Sequence, residues 1–197
     1  MRSKTKDTSM TPKAQCALVP KLRIPEFRDA REWEEKTLSE ACRVTQGGTP
    51  DTAATDLWGG SIQWLTPAEM GKDDSKYIAK TVRSITEKGL SNCSSELLPI
   101  NSVIISTRAP IGHLAINTEP MAINQGCRGL IPKTSFDALF IYYYLAKSRT
   151  QLNDLGSGNT FKEISGKTLK EFVIAFPLFA EQQKIASCLS SVDELIG

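Results

Sequence analysis

The chain has a single histidine, His113, and five cysteines (Cys16, Cys42, Cys93, Cys127, Cys188) with no Cys-x-x-Cys pair among them. A zinc site takes about four nitrogen or sulfur ligands at close spacing, a set this sequence does not offer. An odd, scattered complement of cysteines reads as reduced, mostly buried thiols in a cytoplasmic protein. No apolar run approaches the roughly 18 residues of a membrane span. The N-terminus is basic but lacks the apolar stretch of a secretory signal. Internal repeats and low-complexity tracts are missing. Net charge is also small, since 24 Lys and Arg against 22 Asp and Glu leave +2. Whole-molecule charge therefore neither demands nor excludes nucleic acid.

Catalytic signatures are missing too. No serine or cysteine nucleophile motif frames His113, so a triad gives way to a hydrogen-bonded structural histidine. Gly47-Gly48-Thr49 lacks the lysine and spacing of a nucleotide loop, which leaves a tight turn or one backbone contact to DNA. The carboxylates are scattered, with no pair marked for acid–base work. There is neither a cofactor loop followed by an Asn-Pro-Pro-Tyr-like motif nor a cluster of metal-binding carboxylates. The expectation is a non-catalytic chain with no metal and no cofactor of its own.

What remains is 197 residues, 40% of them apolar, enough for one domain and an appendage. Residues 1–20 form a flexible basic tail, either a solvated chain end or a non-specific grip on phosphates. Residues 21–176 interleave short strands and helices, which indicates a mixed α/β (α+β) domain and not a doubly wound sheet. Thr37 to Glu40 and Thr66 to Glu69 have the spacing of capping boxes. Cys42–Thr45, Ile62–Leu65, Val103–Arg108, Leu114–Ile116, Gly129–Ile131 and Phe172–Phe176 read as strands. Residues 51–61 read as a loop around Trp58. Ser84–Lys88 reads as a short helix closed by Gly89, and Phe136–Lys147 as a helix capped by Ser135. Residues 177–197 begin a further helix, in which Ile185, Leu189, Val192 and Ile196 recur at spacings of four, three and four. That is a heptad seam. It follows the proline stop at Pro177, which favours packing against another helix, in this chain or in a partner.

Several polar groups have the chemistry to touch DNA. Arg108 ends the most apolar strand beside a Pro-Ile-Gly turn. Arginine there either reads guanine with two hydrogen bonds or closes the sheet edge as an ion pair. Asn124-Gln125 carries the amides that match adenine's edge, or else forms a hydrogen-bonded turn. Ser157-Gly158-Asn159-Thr160-Phe161-Lys162 combines glycines, short polar side chains and a cation, which suits close approach to a sugar–phosphate backbone. Tyr142-Tyr143-Tyr144 could stack on bases, but at helical spacing tyrosines more often face core and interface.

The ordered motifs carry a resemblance. These are Trp33-Glu34, Gly47-Gly48-Thr49-Pro50, Trp58-Gly59-Gly60-x-Ile62-x-Trp64-Leu65-Thr66-Pro67, Ser106-Thr107-Arg108-Ala109-Pro110-Ile111-Gly112, Ile123-Asn124-Gln125-Gly126, and the closing Phe176-Pro177-Leu178-Phe179-Ala180-Glu181-Gln182-Gln183-Lys184-Ile185. Over residues 20–197 the chain resembles one target-recognition domain, plus the start of the spacer helix, of the specificity subunit of type I restriction–modification enzymes. The resemblance implies recognition of duplex DNA, largely through the major groove, at one half of a split site. The implied contacts are Thr49, Gln63, Trp64, Thr66, Arg108, Asn124, Gln125, Asn159, Thr160 and Lys162. It implies docking of methyltransferase and restriction subunits, to which S-adenosylmethionine, ATP and magnesium belong. The stripe Ile185, Leu189, Val192 and Ile196, which one short helix cannot bury alone, is expected to give weak self-association or docking on a neighbouring molecule. The alternative is a protein-interaction module that pairs its helix with intact specificity or methyltransferase subunits. Cys127 and Phe179 stand where the family leads one to expect an aromatic residue and a proline.

Overall fold

The computed structural model describes residues 20–71, 75–156 and 162–196; the basic tail expected over residues 1–20 lies, except for Pro20, outside them. The first strand, β1 (Glu34–Thr37), enters a single capped turn, α1 (Leu38–Ala41), and β2 (Cys42–Gln46) follows. The capping box is complete. Glu40 N donates to Thr37 Oγ1 at 3.2 Å and Thr37 N donates to Glu40 Oε2 at 2.7 Å. These two bonds satisfy amides that have no partner within the turn.

Next come β3 (Trp58–Leu65), β4 (Tyr77–Ile78), β5 (Ser84–Ile85) and a short helix, α2 (Glu87–Ser91). Two expectations change here. The loop expected over residues 51–61 ends at Trp58, where β3 starts. Gly59, at φ +77°, takes a left-handed conformation that a larger residue would resist, and the pairing shifts register between Trp58 and Ile62. The helix expected at Ser84–Lys88 is instead β5 followed by α2. Thr86 caps α2, accepting from Gly89 N at 3.0 Å, so Gly89 lies inside the helix and not at its end.

Strands β6 (Val103–Ser106), β7 (Leu114–Asn117), β8 (Met121–Ile123) and β9 (Cys127–Pro132) precede helices α3 (Ala138–Lys147) and α4 (Arg149–Leu155). Asp137, not Ser135, caps α3, its Oδ1 accepting from Phe140 N at 2.8 Å. Ser135 stands at φ +78°, outside the extended geometry of a cap residue. The chain closes with α5 (Gly166–Lys170), β10 (Val173–Phe176) and the long α6 (Phe179–Ile196).

Among the described residues the strands make three sheets. A five-stranded sheet runs β2-β9-β6-β7-β4, a three-stranded sheet runs β5-β3-β8, and β1 pairs with β10 as a separate ribbon. Pairing is antiparallel except for β4 with β7 and β3 with β8. The fold is the expected mixed α/β type. Strand β6 is buried throughout because both of its faces are covered. Val103 and Ile105 join the core shared with α3, Leu169 and Ile174, while Ile104 joins Leu65, Met70, Leu98, Met121 and Ile123 on the other side.

The motif Glu181-Gln182 at the start of α6 is buried, and its polar atoms are occupied. Arg23 grips Glu181 through two contacts, of 2.9 Å and 2.7 Å, and also donates to the Ala30 and Arg31 carbonyls. Gln182 accepts from Asp137 N at 3.0 Å and donates to the Ser135 and Pro177 carbonyls. These side chains fasten α6 to the N-terminal segment and to the start of α3, so its exit direction is set by the domain.

Candidate nucleic-acid interface

Five chain segments converge on one patch through backbone hydrogen bonds. Asn124 N donates to Leu65 O at 2.8 Å, and Gly48 N donates to Ile123 O at 2.9 Å. Thr107 N donates to Gly126 O at 2.8 Å, and Ile164 N donates to Thr107 O at 2.9 Å. The turns after β2, β3, β6 and β8 are thereby held against the segment before α5. Glycines allow the close approach: a Cβ on Gly126 would lie 2.8 Å from Pro67 Cγ.

Three of the expected contact residues form one hydrogen-bonded cluster here. Asn124 Nδ2 donates to Thr49 Oγ1 at 3.0 Å and to Gln125 Oε1 at 2.9 Å, and the Thr49 hydroxyl itself donates to Gln125 Oε1. Asn124 Oδ1 accepts from Gly126 N at 2.8 Å, so the side chain also builds the turn that carries it. The hydrogen-bonded turn weighed for Asn124-Gln125 is therefore present, with Asn124 half-buried and Gln125 exposed. Arg108 pairs with Glu163, Nε to Oε2 at 3.0 Å, with both side chains partly exposed. That is the ion pair weighed against base reading. Lys162, next to Glu163, is exposed. Asn159 and Thr160 lie outside the described residues.

Trp64 is buried, while Gln63 and Thr66 are half-buried, and each has polar atoms bonded within the protein. Trp64 is 3% exposed and its Nε1 donates to Gly48 O at 2.9 Å, so it supports the patch from beneath. Gln63 Oε1 accepts from Thr81 N at 2.8 Å and lies 3.1 Å from Thr81 Oγ1. Thr66 donates its hydroxyl to Glu69 Oε2 at 2.6 Å and its amide to the same oxygen at 3.1 Å. These polar atoms are engaged inside the protein.

Arg128 was missed from the sequence. It stands opposite Gln46 in the ladder between β2 and β9, and its Nη1 donates to the Gln125 and Cys127 carbonyls at 3.1 Å and 3.0 Å. The available signal was an arginine three residues after the Asn-Gln pair. Arg128 shares a shallow pocket with Lys170 of α5, together with Glu96.

The helix seam divides. Ile185 packs against the domain's own core, whereas Leu189, Val192 and Ile196 are 41%, 48% and 81% exposed. The expectation that the whole stripe seeks a partner is thus corrected at Ile185. Further along α6, Tyr143 Oη donates to Asp193 Oδ2 at 2.6 Å and Lys76 Nζ lies 3.1 Å from the same oxygen. These partners, the Tyr143 hydroxyl first, hold the Asp193 carboxyl below the usual carboxylate range. Cys42 and Cys127 are buried, and desolvation pushes each thiol up to about 12. Cys127 fills space against Met70, with its sulfur 3.7 Å from the Met70 sulfur. Phe179 is 41% exposed at the start of α6. His113 Nδ1 lies 2.8 Å from the Met70 carbonyl oxygen, a structural hydrogen bond. Among the described residues no three His, Cys, Asp or Glu side chains gather as a metal site, and no helix is long and apolar enough to cross a membrane.

The fold is a packed mixed α/β body that gathers polar turns on one patch and carries a long C-terminal helix. Its family follows from comparison. Residues 30–197 match the family model for the type I restriction modification DNA specificity domain, and the chain belongs to that family. It is 40% identical over 169 residues to the type I restriction enzyme MjaIX specificity subunit of Methanocaldococcus jannaschii, a match covering 84% of this chain and 39% of that protein. It is 29% identical over 171 residues to the EcoR124I/EcoR124II specificity subunit of Escherichia coli, covering 83% of this chain and 42% of that protein. Among solved structures, the HsdS subunit of Thermoanaerobacter tengcongensis superposes with a TM-score of 0.64 at 21% identity, over 90% of this chain and 40% of that one. The likeness of that structure is one of fold. The chain spans about four-tenths of the length of the relatives it matches.

Proposed function

We propose that this chain recognises a specific duplex DNA sequence as part of the specificity subunit of a type I restriction–modification system. On this reading it directs adenine methyltransferase and ATP-dependent endonuclease subunits to one half of a bipartite site. It performs no chemistry itself. S-adenosylmethionine, ATP and magnesium belong to those partners, and the assembly acts in the cytoplasm. The observation that carries the reading is the Thr49–Asn124–Gln125 cluster, set on five converging segments and flanked by Arg108, Arg128 and Lys162. Amides suited to a base edge sit among cations suited to phosphates. Asn159 and Thr160 remain proposed contacts on sequence alone, outside the described residues.

The exposed half of α6 serves a second role in this proposal. Leu189 borders an apolar groove of about 420 Å³ together with Trp33, Phe140, Tyr143, Tyr144 and Ile185. Val192, Leu195 and Ile196 continue the apolar surface to the end of the helix. A second helix laid there, from another specificity segment, a methyltransferase subunit or a second copy in a weak homodimer, would cover it. The test of the main proposal is equilibrium binding of the chain, assembled with methyltransferase subunits, to duplex DNA. Asn124→Ala should lower the preference for the selected sequence over random DNA by about tenfold while leaving random-sequence affinity nearly unchanged. Equal loss on both DNAs would assign Asn124 to scaffold or phosphate contact instead.

A further inference from the structure

Gln63 Oε1 and the hydroxyl and amide of Thr66 are bonded within the protein, and what they hold is a turn. Gln63 Oε1 fixes Thr81 by accepting from its backbone N–H. The Thr81 hydroxyl in turn donates to Arg83 O at 2.6 Å and accepts from Trp64 N at 3.0 Å. Glu69, already bound to Thr66 through Oε2, accepts from Val82 N through Oε1 at 2.6 Å. Trp64 N also donates to Arg83 O at 3.2 Å. An exposed turn is ordinarily mobile, yet this one is fixed at three successive residues. At its tip Val82 is 82% exposed, and Lys80 and Arg83 are exposed beside it.

Arg83 is also pre-positioned. Its guanidinium carbon lies 3.6 Å from the centroid of the Trp58 ring, and Trp58 meets Trp64 edge-to-face at 5.1 Å. At 3.6 Å the planar cation rests against the ring, and its N–H donors remain at its rim for another acceptor. Trp64 joins this stack to the patch already described through its hydrogen bond to Gly48 O. Thr66-Pro67 joins the turn to the same patch, because Pro67 abuts Gly126. The turn and the Thr49–Asn124–Gln125 cluster therefore share one rigid support.

We infer that residues 80–83 are a second DNA-contacting element of this domain, with Arg83 as a specificity-determining residue and Lys80 as a phosphate contact. The inference rests on the reading of the chain as a DNA-recognition domain. A fixed guanidinium suits two hydrogen bonds to one guanine, or one guanidinium–phosphate pair, and the exposed Val82 suits a thymine methyl group. Gln63 and Thr66 act through this turn as positioning residues.

The test uses the chain assembled with methyltransferase subunits and two probes, a fluorescein-labelled random 30-base-pair duplex and a library for sequence selection. Arg83→Ala should relax selection at one or two base pairs and weaken binding to the selected sequence about tenfold. Arg83→Lys should leave random-duplex affinity intact without restoring selectivity, because an ammonium cannot form the two-pronged contact. Lys80→Ala should weaken binding to all duplexes alike. Gln63→Ala should reproduce the selectivity loss of Arg83→Ala with Arg83 still present. If Arg83→Ala leaves affinity and selected sequence unchanged while Asn124→Ala alters them, the turn is scaffold, and the inference fails while the reading beneath it stands. If the unaltered complex selects no sequence, both fail.

Discussion

A Cβ at Gly47 would lie 1.9 Å from the Asn124 carbonyl oxygen and 2.6 Å from that of Ile123. The obstruction is backbone on both counts, so Gly47→Ala must displace the turn that carries Asn124 and Gln125. We expect it to abolish sequence selection while circular dichroism still reports a folded domain; unchanged selection would mean that the turn has slack the structure does not show. Lys162→Ala should weaken binding alike for all sequences and lower the salt slope by about one. Arg108→Ala should instead relax selectivity at one or two base pairs. If both leave binding unchanged in the assembled complex, the DNA face lies elsewhere. The cysteines give a check independent of DNA. With Cys42 and Cys127 pushed up to about 12 by burial, neither forms thiolate in the native protein near pH 8, whereas Cys188 is exposed. Iodoacetamide at pH 8 followed by peptide mapping should label Cys188 and spare Cys42 and Cys127. Because folding raises those two values, the stabilisation from the buried neutral thiols is full below about pH 8.5 and declines as pH climbs toward 12.

At the scale of elements, α6 is the decisive case. Its first turn is buried through Glu181 and Gln182, its middle packs by Ile185 and Ala186, and its far end is tied only by Asp193 to Tyr143 and Lys76. Gln182→Ala would leave Asp137 N and two carbonyls without their partner, a loss of about 2–3 kcal/mol readable in denaturant midpoints. A loss below measurement error would mean that water replaces the amide without penalty. The far end should respond to acid. Folding lowers the Asp193 pKa, so its preference for the docked helix is present above the ordinary carboxylate range and vanishes as pH falls through the lowered value. Hydrogen exchange in the last turns of α6 should therefore quicken in acid relative to α3 after correction for intrinsic rates, and Asp193→Asn should flatten that response. The elements that could be read from the sequence had an outward physical signature. β6 has a dense β-branched run, α1 a complete capping box, and α6 a heptad. Those that could not be read lacked one. β1, Glu34-Glu35-Lys36-Thr37, is charged because it pairs only with β10 in a two-stranded ribbon. β8 is three residues buried on every side, with no alternation to detect. The start of β3 was hidden by Gly59-Gly60. A Cβ on Gly60 would lie 2.5 Å from the Ile85 carbonyl oxygen, so the glycine marks strand pairing and not a loop.

For the whole molecule, the candidate site was legible as residue types and illegible as an arrangement. Thr49, Asn124, Gln125 and Arg108 stand out as groups able to read bases, but nothing in the linear order says that Thr49 meets Gln125 across 76 residues. Gln63 and Thr66 enter as contacts through the family resemblance alone; only the fold reveals the Thr81–Arg83 turn that they hold. The dependence of α6 on a partner is tested by association. Sedimentation over a concentration series should show weak dimerisation, and Leu189→Asp should abolish it. A strict monomer at high concentration, unaffected by Leu189→Asp, would mean that the stripe folds back on its own domain. The central claim is that this fold reads DNA sequence, and one measurement reaches it most directly: selection from a random duplex library by the chain assembled with methyltransferase subunits. The account predicts enrichment of a short defined half-site whose bases change with Asn124→Ala. Retention of all sequences alike, before and after that substitution, would contradict it.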